Sequence, residues 1–166
     1  PVQAVFMLGD ALAHHFHQKY MRYAGDADGS EYVSFVSKTM GYLYNALQQV
    51  APNNVPIISV IGNNDSIAGT GCKNADYCFL SHSVLREHLA RIWHIDQASF
   101  IDFGAYRYQL AGTPIVLLSL DSVLFSSKVQ GDHIAKAQAK AWAWLSHQLA
   151  QAKHHHQVVW LLMHIP

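Results

Sequence analysis

The sequence has little charge, and the charge that it has is balanced. Only 13% of its 166 residues are Asp, Glu, Lys or Arg, and the formal net charge is zero with neutral histidines. This composition argues against nucleic-acid binding through a general basic field, and equally against an acidic disordered tail. Hydrophobic residues make up 51% of the chain, which is enough to bury a core.

Long apolar runs are also missing. The longest ones, such as 114–120 and 158–163, are far shorter than the roughly 20 residues that a membrane-spanning helix needs. They are typical of buried strands. The sequence contains no internal repeat and no low-complexity linker, so we expect residues 1–166 to belong to one domain.

Cysteine is scarce. Cys72 and Cys78 are the only two, and they lie in the polar stretch 68–78. The sequence has no C-x-x-C and no Cys/His set at zinc-finger spacing, which argues against a small structural zinc module. Two interpretations of the pair stay open at this point: reduced thiols in a cytosolic loop, or a short disulfide in an exported protein.

Apolar runs typical of strands alternate with helical periods along the chain. The predicted strands are 2–8, 56–61, 114–120 and 157–163. The predicted helices are 30–50, 81–92 and 135–152, the first two with Ser30 and Ser81 as N-caps. Segments 99–103 and 106–111 are predicted to form a hairpin. This order predicts an α/β fold in which a layered mixed sheet is flanked by helices.

Short polar residues follow several of the predicted strands. Asp10 comes after the first strand, Asn63 and Asn64 after the second, Asp121 after the third and His164 after the last. Ligands of open α/β sheets bind beyond the carboxyl ends of the strands. We therefore expect Asp10, Asn63 and His164 to converge at one edge of the sheet, near a shared metal position.

Three short segments carry a family pattern: Gly-Asp at 9–10 followed by His14, Gly-Asn-Asn-Asp at 62–65, and His-Ile-Pro at 164–166. Their order and spacing resemble the calcineurin-like metallophosphoesterases, whose motifs run Asp-x-His, Gly-Asp, Gly-Asn-His-Asp/Glu, His and Gly-His-x-His. His14 and the His-Ile-Pro segment resemble the acid sphingomyelinase-like phosphodiesterase branch. The family's first and last motifs have no counterpart here, so the resemblance implies an internal segment of such a domain.

The resemblance implies a phosphoric ester hydrolase that uses two divalent ions, zinc in the first place, with manganese or iron as alternatives. Asp10 would bridge the ions, since a bridging ligand supplies two oxygens to metals about 3.5–4 Å apart. Asn63 and His164 would be ligands of the second ion. His14 would bind the substrate phosphate and take part in catalysis, and Asn64 would also contact the substrate.

Asn64 departs from the family pattern, which usually has a histidine there to protonate the leaving oxygen. An amide donates hydrogen bonds but is no general acid near neutral pH. Because a similar Gly-Asn-Asn-Asp occurs in the endopolyphosphatase branch, a phosphoanhydride hydrolase acting on polyphosphate or nucleotides is an alternative. A catalytically degenerate phosphoesterase is another. Asp121 has no place in the motifs and is predicted to be a structural or turn residue.

The resemblance also favours the Cys72–Cys78 disulfide, and with it a secreted, periplasmic or lysosome-like compartment. The expected partner is a small-molecule or lipid phosphoester, with no nucleic-acid polymer and no transmembrane segment; the oligomeric state stays open. A histidine-rich metal-binding module is an alternative of another class, because the chain has twelve histidines, three of them at 154–156. A solvated loop between the last helix and the last strand is the ordinary expectation for that triplet.

Overall fold

The computed structural model describes residues 2–26, 30–52, 55–65, 83–129 and 132–165. The strands are β1 (Val5–Met7), β2 (Ile57–Ser59), β3 (Ala105–Gln109), β4 (Ile115–Leu120) and β5 (Val158–Leu162). The helices are α1 (Phe16–Ala24), α2 (Tyr32–Val50), α3 (Ser83–Ile92), α4 (Ala98–Phe103) and α5 (Asp132–His154), with a short 3-10 helix at Ser122–Phe125. Cys72, Cys78 and Ser81 lie outside the described residues, and so does the predicted disulfide.

The strands form two small sheets flanked by helices, so the predicted α/β class is confirmed. β1 and β2 are parallel, with Val5 opposite Ile57 and Met7 opposite Ser59. In the second sheet β4 lies in the middle, antiparallel to β3 and parallel to β5. Within the described ranges the strands thus make two separate ladders rather than one continuous mixed sheet. No helix in this part of the chain has the length and apolar character needed to cross a membrane.

Side chains join the two sheets at the end of β2. Tyr106 Oη donates to the Ser59 carbonyl at 2.7 Å and accepts from the Ser59 amide at 2.8 Å. Ser119 Oγ donates to the same carbonyl at 3.2 Å. All three residues are buried. Because buried backbone groups need partners, these bonds satisfy the amide and the carbonyl of Ser59 and fix β2 against β3 and β4.

The core has two parts that meet at β4. Leu117 points into the first cluster, where residues of α2 and α3 such as Met40 and Leu89 pack against β1 and β2. Leu118, the next residue, points into the second cluster, where α5 contributes Leu145. Since β4 is covered on both faces, its sequence is a continuous apolar run, as is typical of central strands.

The predicted hairpin is wrong in its first arm. Residues 98–103 form α4, because Phe100 and Phe103 are buried and lie three residues apart on one face of the helix. Gly104, with φ 75°, ends α4 and donates its amide to the Phe100 carbonyl. The hairpin consists instead of β3 and β4, with Ala105 opposite Leu120.

Two helix starts also differ from the prediction. The N-cap of α2 is Glu31 rather than Ser30, and its side chain makes no capping bond. Asp26 organises this turn instead, since its Oδ2 accepts from the Glu31 amide at 3.0 Å and from Tyr20 Oη at 2.9 Å. Helix α1 is not predicted at all. It begins directly after His15, whose φ of 57° is left-handed.

Candidate metal centre

The carboxyl ends of β1, β2 and β5 meet at one edge of the molecule. β1 and β2 are parallel neighbours, so the loops that follow them begin side by side. His164 follows β5, and its Nδ1 lies 2.7 Å from the carbonyl oxygen of Leu8, which follows β1. The structure therefore brings Asp10, Asn63 and His164 together, with His14 and Asn64 beside them, while their roles as ligands stay a prediction.

Glycine makes this convergence possible. Gly9 has φ 90° and Asp10 has φ 53°, so two consecutive left-handed residues turn the chain sharply after β1. A Cβ on Gly9 would lie 2.7 Å from the Gly62 nitrogen, and one on Gly62 would collide with the Asp10 backbone nitrogen and Oδ1. Only residues without a side chain allow the two loops to approach this closely.

Asp10 and Asn64 are joined by two hydrogen bonds. The Asn64 backbone amide donates to Asp10 Oδ1 at 2.9 Å, and Asn64 Nδ2 donates to Oδ2 at 2.7 Å. The Asp10 side chain keeps 31% of its surface exposed. Each carboxylate oxygen thus has one donor from the neighbouring loop, and the side chain as a whole stays partly exposed.

His164 faces oxygen atoms with both ring nitrogens. Nδ1 lies 2.7 Å from the Leu8 carbonyl, while Nε2 lies 3.3 Å from Asp10 Oδ1 and 3.2 Å from Asn63 Oδ1. A neutral imidazole carries one N–H, so it can satisfy only one of these sides. The arrangement is satisfied when both nitrogens are protonated, or when a cation takes the place of the Nε2 proton.

Asn64 orients His14. Because Asn64 Nδ2 donates to Asp10, the orientation of the amide is set and its Oδ1 acts as an acceptor. Asn63 Nδ2 donates to this oxygen at 3.3 Å, and His14 Nδ1 lies 3.0 Å from it. His14 Nδ1 therefore carries the hydrogen of this bond, and Nε2 is the acceptor nitrogen when the imidazole is neutral.

Asp65 is a part of the site that the sequence argument misses. Its Oδ1 accepts from the Leu12 amide and its Oδ2 from the Gly62 amide, both at 2.9 Å, and its exposure is 1%. Burial raises the pKa of the Asp65 carboxyl to about 6, against the opposing effect of these hydrogen bonds. The Gly-x-x-Asp spacing is a signal of the local turn with Gly62, since aspartate favours turns, but it does not indicate the contact with Leu12.

Asp121 has the structural role that was predicted for it. It is the N-cap of the 3-10 helix, and its Oδ1 accepts from the Val123 amide at 3.1 Å. Burial raises the pKa of its carboxyl to about 8, although the attraction of Arg86 acts in the opposite direction. The next residue, Ser122, accepts the Ile165 amide at 2.9 Å through Oγ, which anchors the segment that carries His164.

No protein-family model matches this sequence, and a comparison with curated proteins likewise finds no match.

The chemistry of the donor set fits a transition-metal or related divalent ion. Donors around a zinc ion at about 2.0–2.2 Å lie about 3–3.5 Å from one another, and the separations from His164 Nε2 to Asp10 Oδ1 and to Asn63 Oδ1 are 3.3 and 3.2 Å. A metal-ligating histidine usually donates its other N–H to a carbonyl or carboxylate. His164 has that partner in Leu8.

The set is nevertheless small. Within the described ranges, no group of three or more His, Cys, Asp or Glu side chains is arranged to hold a metal ion. The donors at this edge are one carboxylate, one imidazole and one amide oxygen. These three donors alone are fewer than two metal ions would require. The histidine triplet lies elsewhere in sequence and structure: His154 ends α5, and all three residues are exposed.

Proposed function

We propose that this chain contributes to a two-metal-dependent phosphoric ester hydrolase of the calcineurin-like type, and that the enzyme is a phosphodiesterase resembling acid sphingomyelinase. The observation that carries the proposal is the position of His164, whose Nε2 faces both Asp10 and Asn63 while Nδ1 is turned to the Leu8 carbonyl. The order of the motifs along the chain supports the same class.

Asp10, Asn63 and His164 hold the divalent ions in this proposal. Asp10 would be the bridging ligand, because a carboxylate offers two charged oxygens and an amide or imidazole does not. Zinc suits this donor set, and manganese and iron accept the same ligand types. When bound, a pair of such ions polarises phosphoryl oxygens and supplies a hydroxide nucleophile.

His14 is the catalytic side chain among the described residues. Asn64 holds its Nδ1, so Nε2 is the atom that exchanges a proton with the substrate phosphate or the leaving oxygen. Asn64 itself is engaged at both ends of its amide, by Asp10 and by His14. Substrate binding by Asn64 stays a prediction, and its present contacts support an orienting role.

Phosphoanhydride hydrolysis is the second candidate, and the observation that favours it is again Asn64. An amide supplies no proton to a departing oxygen, and the pyrophosphate or polyphosphate oxygen of an anhydride departs more readily without one than an alkoxide does. A catalytically degenerate protein and a histidine-rich metal-binding module are weaker readings, since the donors converge at strand ends and not at the histidine triplet.

The test is hydrolysis of bis(4-nitrophenyl) phosphate, ATP and inorganic polyphosphate by the full-length protein with Zn²⁺ or Mn²⁺, before and after chelation. We expect activity that chelation removes and that His164→Ala abolishes. His154→Ala is the matched control, a histidine substitution away from the site. Activity that survives both chelation and His164→Ala would contradict the proposal.

The proposal also includes an oxidising compartment as the place where the protein works. If Cys72 and Cys78 form a disulfide, the protein is exported or enters an oxidising organelle, where such bonds persist. Thiol alkylation of the denatured full-length protein, with and without prior reduction, tests this directly. Alkylation of both cysteines without reduction would remove the argument for an oxidising compartment.

A further inference from the structure

Two carboxylates link the loops after β1 and β2, and they do so in opposite directions. Asp10, in the first loop, accepts from the backbone and side-chain nitrogens of Asn64 in the second. Asp65, in the second loop, accepts from the backbone amide of Leu12 in the first, and also from Gly62 within its own turn. Each loop therefore supplies an acceptor to the other.

The two carboxylates differ in what else they can bind. The Asp10 side chain is 31% exposed and lies 3.3 Å from His164 Nε2. Asp65 is 1% exposed, and each of its oxygens already has a backbone donor at 2.9 Å. A cation at the site would compete with Asn64 for the oxygens of Asp10, whereas the bonds of Asp65 would be untouched.

We propose that Asp65 is the positioning residue of this site. Asp65 holds the Leu12 and Gly62 amides, and it thereby keeps Asp10 opposite Asn63 when divalent ions engage the oxygens of Asp10. The role in ion affinity rests on the proposed function; the clamp between the loops does not. Gly62 and Asp10 are in close contact, so a small displacement of either loop changes the position of the carboxylate.

Asp65→Asn in the full-length protein is the decisive variant. Asparagine has nearly the same shape, but its Nδ2 cannot accept, so either Leu12 or Gly62 loses its partner. We expect Zn²⁺ affinity, measured by calorimetry with the metal alone, to fall by about 10–100-fold, as for residues that orient metal ligands. The matched control is Asp121→Asn, which changes a buried carboxylate that accepts from Val123 instead; its Zn²⁺ affinity should stay within about twofold of wild type.

Amide hydrogen exchange of the metal-free protein tests the clamp without any metal or substrate. The Leu12 and Gly62 amides should be protected in the wild type and in Asp121→Asn, and should exchange at least about tenfold faster in Asp65→Asn, since exchange requires the hydrogen bond to open. Protection of the Leu118 amide in β4 shows that a variant is folded. The exchange rates of Leu12 and Gly62 in the wild type test the clamp even if Asp65→Asn does not fold.

The outcomes separate the two proposals. Fast exchange of Leu12 and Gly62 in the wild type overturns the clamp. Faster exchange in Asp65→Asn together with unchanged Zn²⁺ affinity overturns the positioning role. Failure of the wild type to bind Zn²⁺ refutes the proposed function and with it the effect on affinity, while the exchange data still decide whether Asp65 holds the loops. Loss of affinity in Asp65→Asn but not in Asp121→Asn supports the positioning role.

Discussion

Asn64 donates one hydrogen bond to each carboxylate oxygen of Asp10, from the backbone nitrogen at 2.9 Å and from Nδ2 at 2.7 Å. The second bond fixes the orientation of the amide and turns Oδ1 towards His14, at 3.0 Å. The residue that replaces the expected histidine thus connects the candidate bridging ligand to the candidate catalytic side chain. Substitution of Asn64 should therefore alter the positions of both Asp10 and His14.

Asp10→Asn should abolish hydrolysis of a nitrophenyl phosphodiester by the full-length protein. The substitution keeps the size of the side chain but removes its charge and one acceptor oxygen, so it cannot hold two cations close together. Zn²⁺ affinity should fall in parallel. The measurements are initial rates and calorimetric titration with Zn²⁺.

His154→Ala is the control for Asp10→Asn. This histidine is exposed at the end of α5, where its ring packs edge-on against His155 at 5.0 Å. We expect rates within about twofold of wild type, since surface substitutions away from special features cost at most about 0.5 kcal/mol. If His154→Ala were the damaging change and Asp10→Asn harmless, the histidine-rich metal-binding interpretation would replace the hydrolase.

Gly62→Ala should destabilise the protein by about 1–3 kcal/mol, the usual cost of overpacking. Its Cβ would collide with the Asp10 backbone nitrogen and Oδ1, so the two loops would have to separate. Gly41→Ala is the matched control, because Gly41 lies inside α2 and its Cβ would meet Ile92 at an ordinary 3.8 Å. That change should stabilise the protein by about 0.5–1 kcal/mol. Urea unfolding of both variants measures the contrast, and equal effects would contradict the close approach of the loops.

Stability should fall as pH rises from about 4 to 8, in part because of Asp121. Burial, with a smaller contribution from the Asp65 charge, raises the pKa of this carboxyl from 3.8 to about 8, although the nearby Arg86 acts in the opposite direction. Between these values the folded protein holds a proton that the unfolded chain has released. The contribution of Asp121 to the free energy of unfolding is therefore full below pH 4 and is lost as pH rises through 8. The free energy of unfolding falls by up to about 1.4 kcal/mol per pH unit in this range.

Asp121→Asn isolates this contribution, because asparagine stays neutral at every pH. The urea midpoint of the wild type should fall more between pH 5 and pH 8 than that of Asp121→Asn. The buried Asp65, whose carboxyl pKa is raised to about 6, acts in the same direction in both proteins, so the difference between the two curves reports Asp121 together with its repulsion from Asp65. Parallel curves would mean that Asp121 is already ionised in the folded protein, paired with Arg86.

The site could be predicted from sequence to the extent that it depends on strand ends. Asp10, Asn63 and His164 each follow a short apolar run, and parallel strands bring such positions to one edge. Asp65 could not be assigned in the same way, because its partner Leu12 is 53 residues away and donates a backbone amide, a group that every residue but proline carries. Sequence reveals which side chains are present, but not which backbone amides need an acceptor.

The errors in the predicted fold also arise from contacts between residues that are distant in sequence. Residues 99–103 are rich in aromatic and β-branched side chains, which are common in strands. They become helical because Phe100 and Phe103 are both buried from one face of the helix. Likewise α1 is short and flanked by left-handed residues at His15 and Gly25. Its position depends on packing against α2, where Phe16 stacks on Phe35 at 5.9 Å. Tertiary contacts decide such short elements, and local propensity does not.

Asn64→His should change how strongly the rate depends on the leaving group. Without a proton donor at this position, negative charge builds up on the departing oxygen, and this costs most for alkoxides. A histidine there would supply the proton, so kcat/KM for alkyl phosphodiesters should rise more than for ATP or polyphosphate. General acid catalysis is typically worth about 10²–10⁴ in rate, which sets the upper limit of the gain.

The structure makes the test sharper, because Asn64→His also removes the oxygen that accepts from His14 Nδ1. If His14 already protonates the leaving group, the substitution should lower kcat/KM most for alkyl phosphodiesters, and the slope against leaving-group pKa should be steeper. If no residue protonates the leaving group, the slope should become shallower, while the rates for aryl esters and anhydrides stay within a few-fold of those of the wild type.

His14→Ala in the wild-type background separates the two cases. A steeper slope in that variant means that His14 supplies the proton and that Asn64 serves to orient it, and an unchanged slope means that the leaving group departs without a proton.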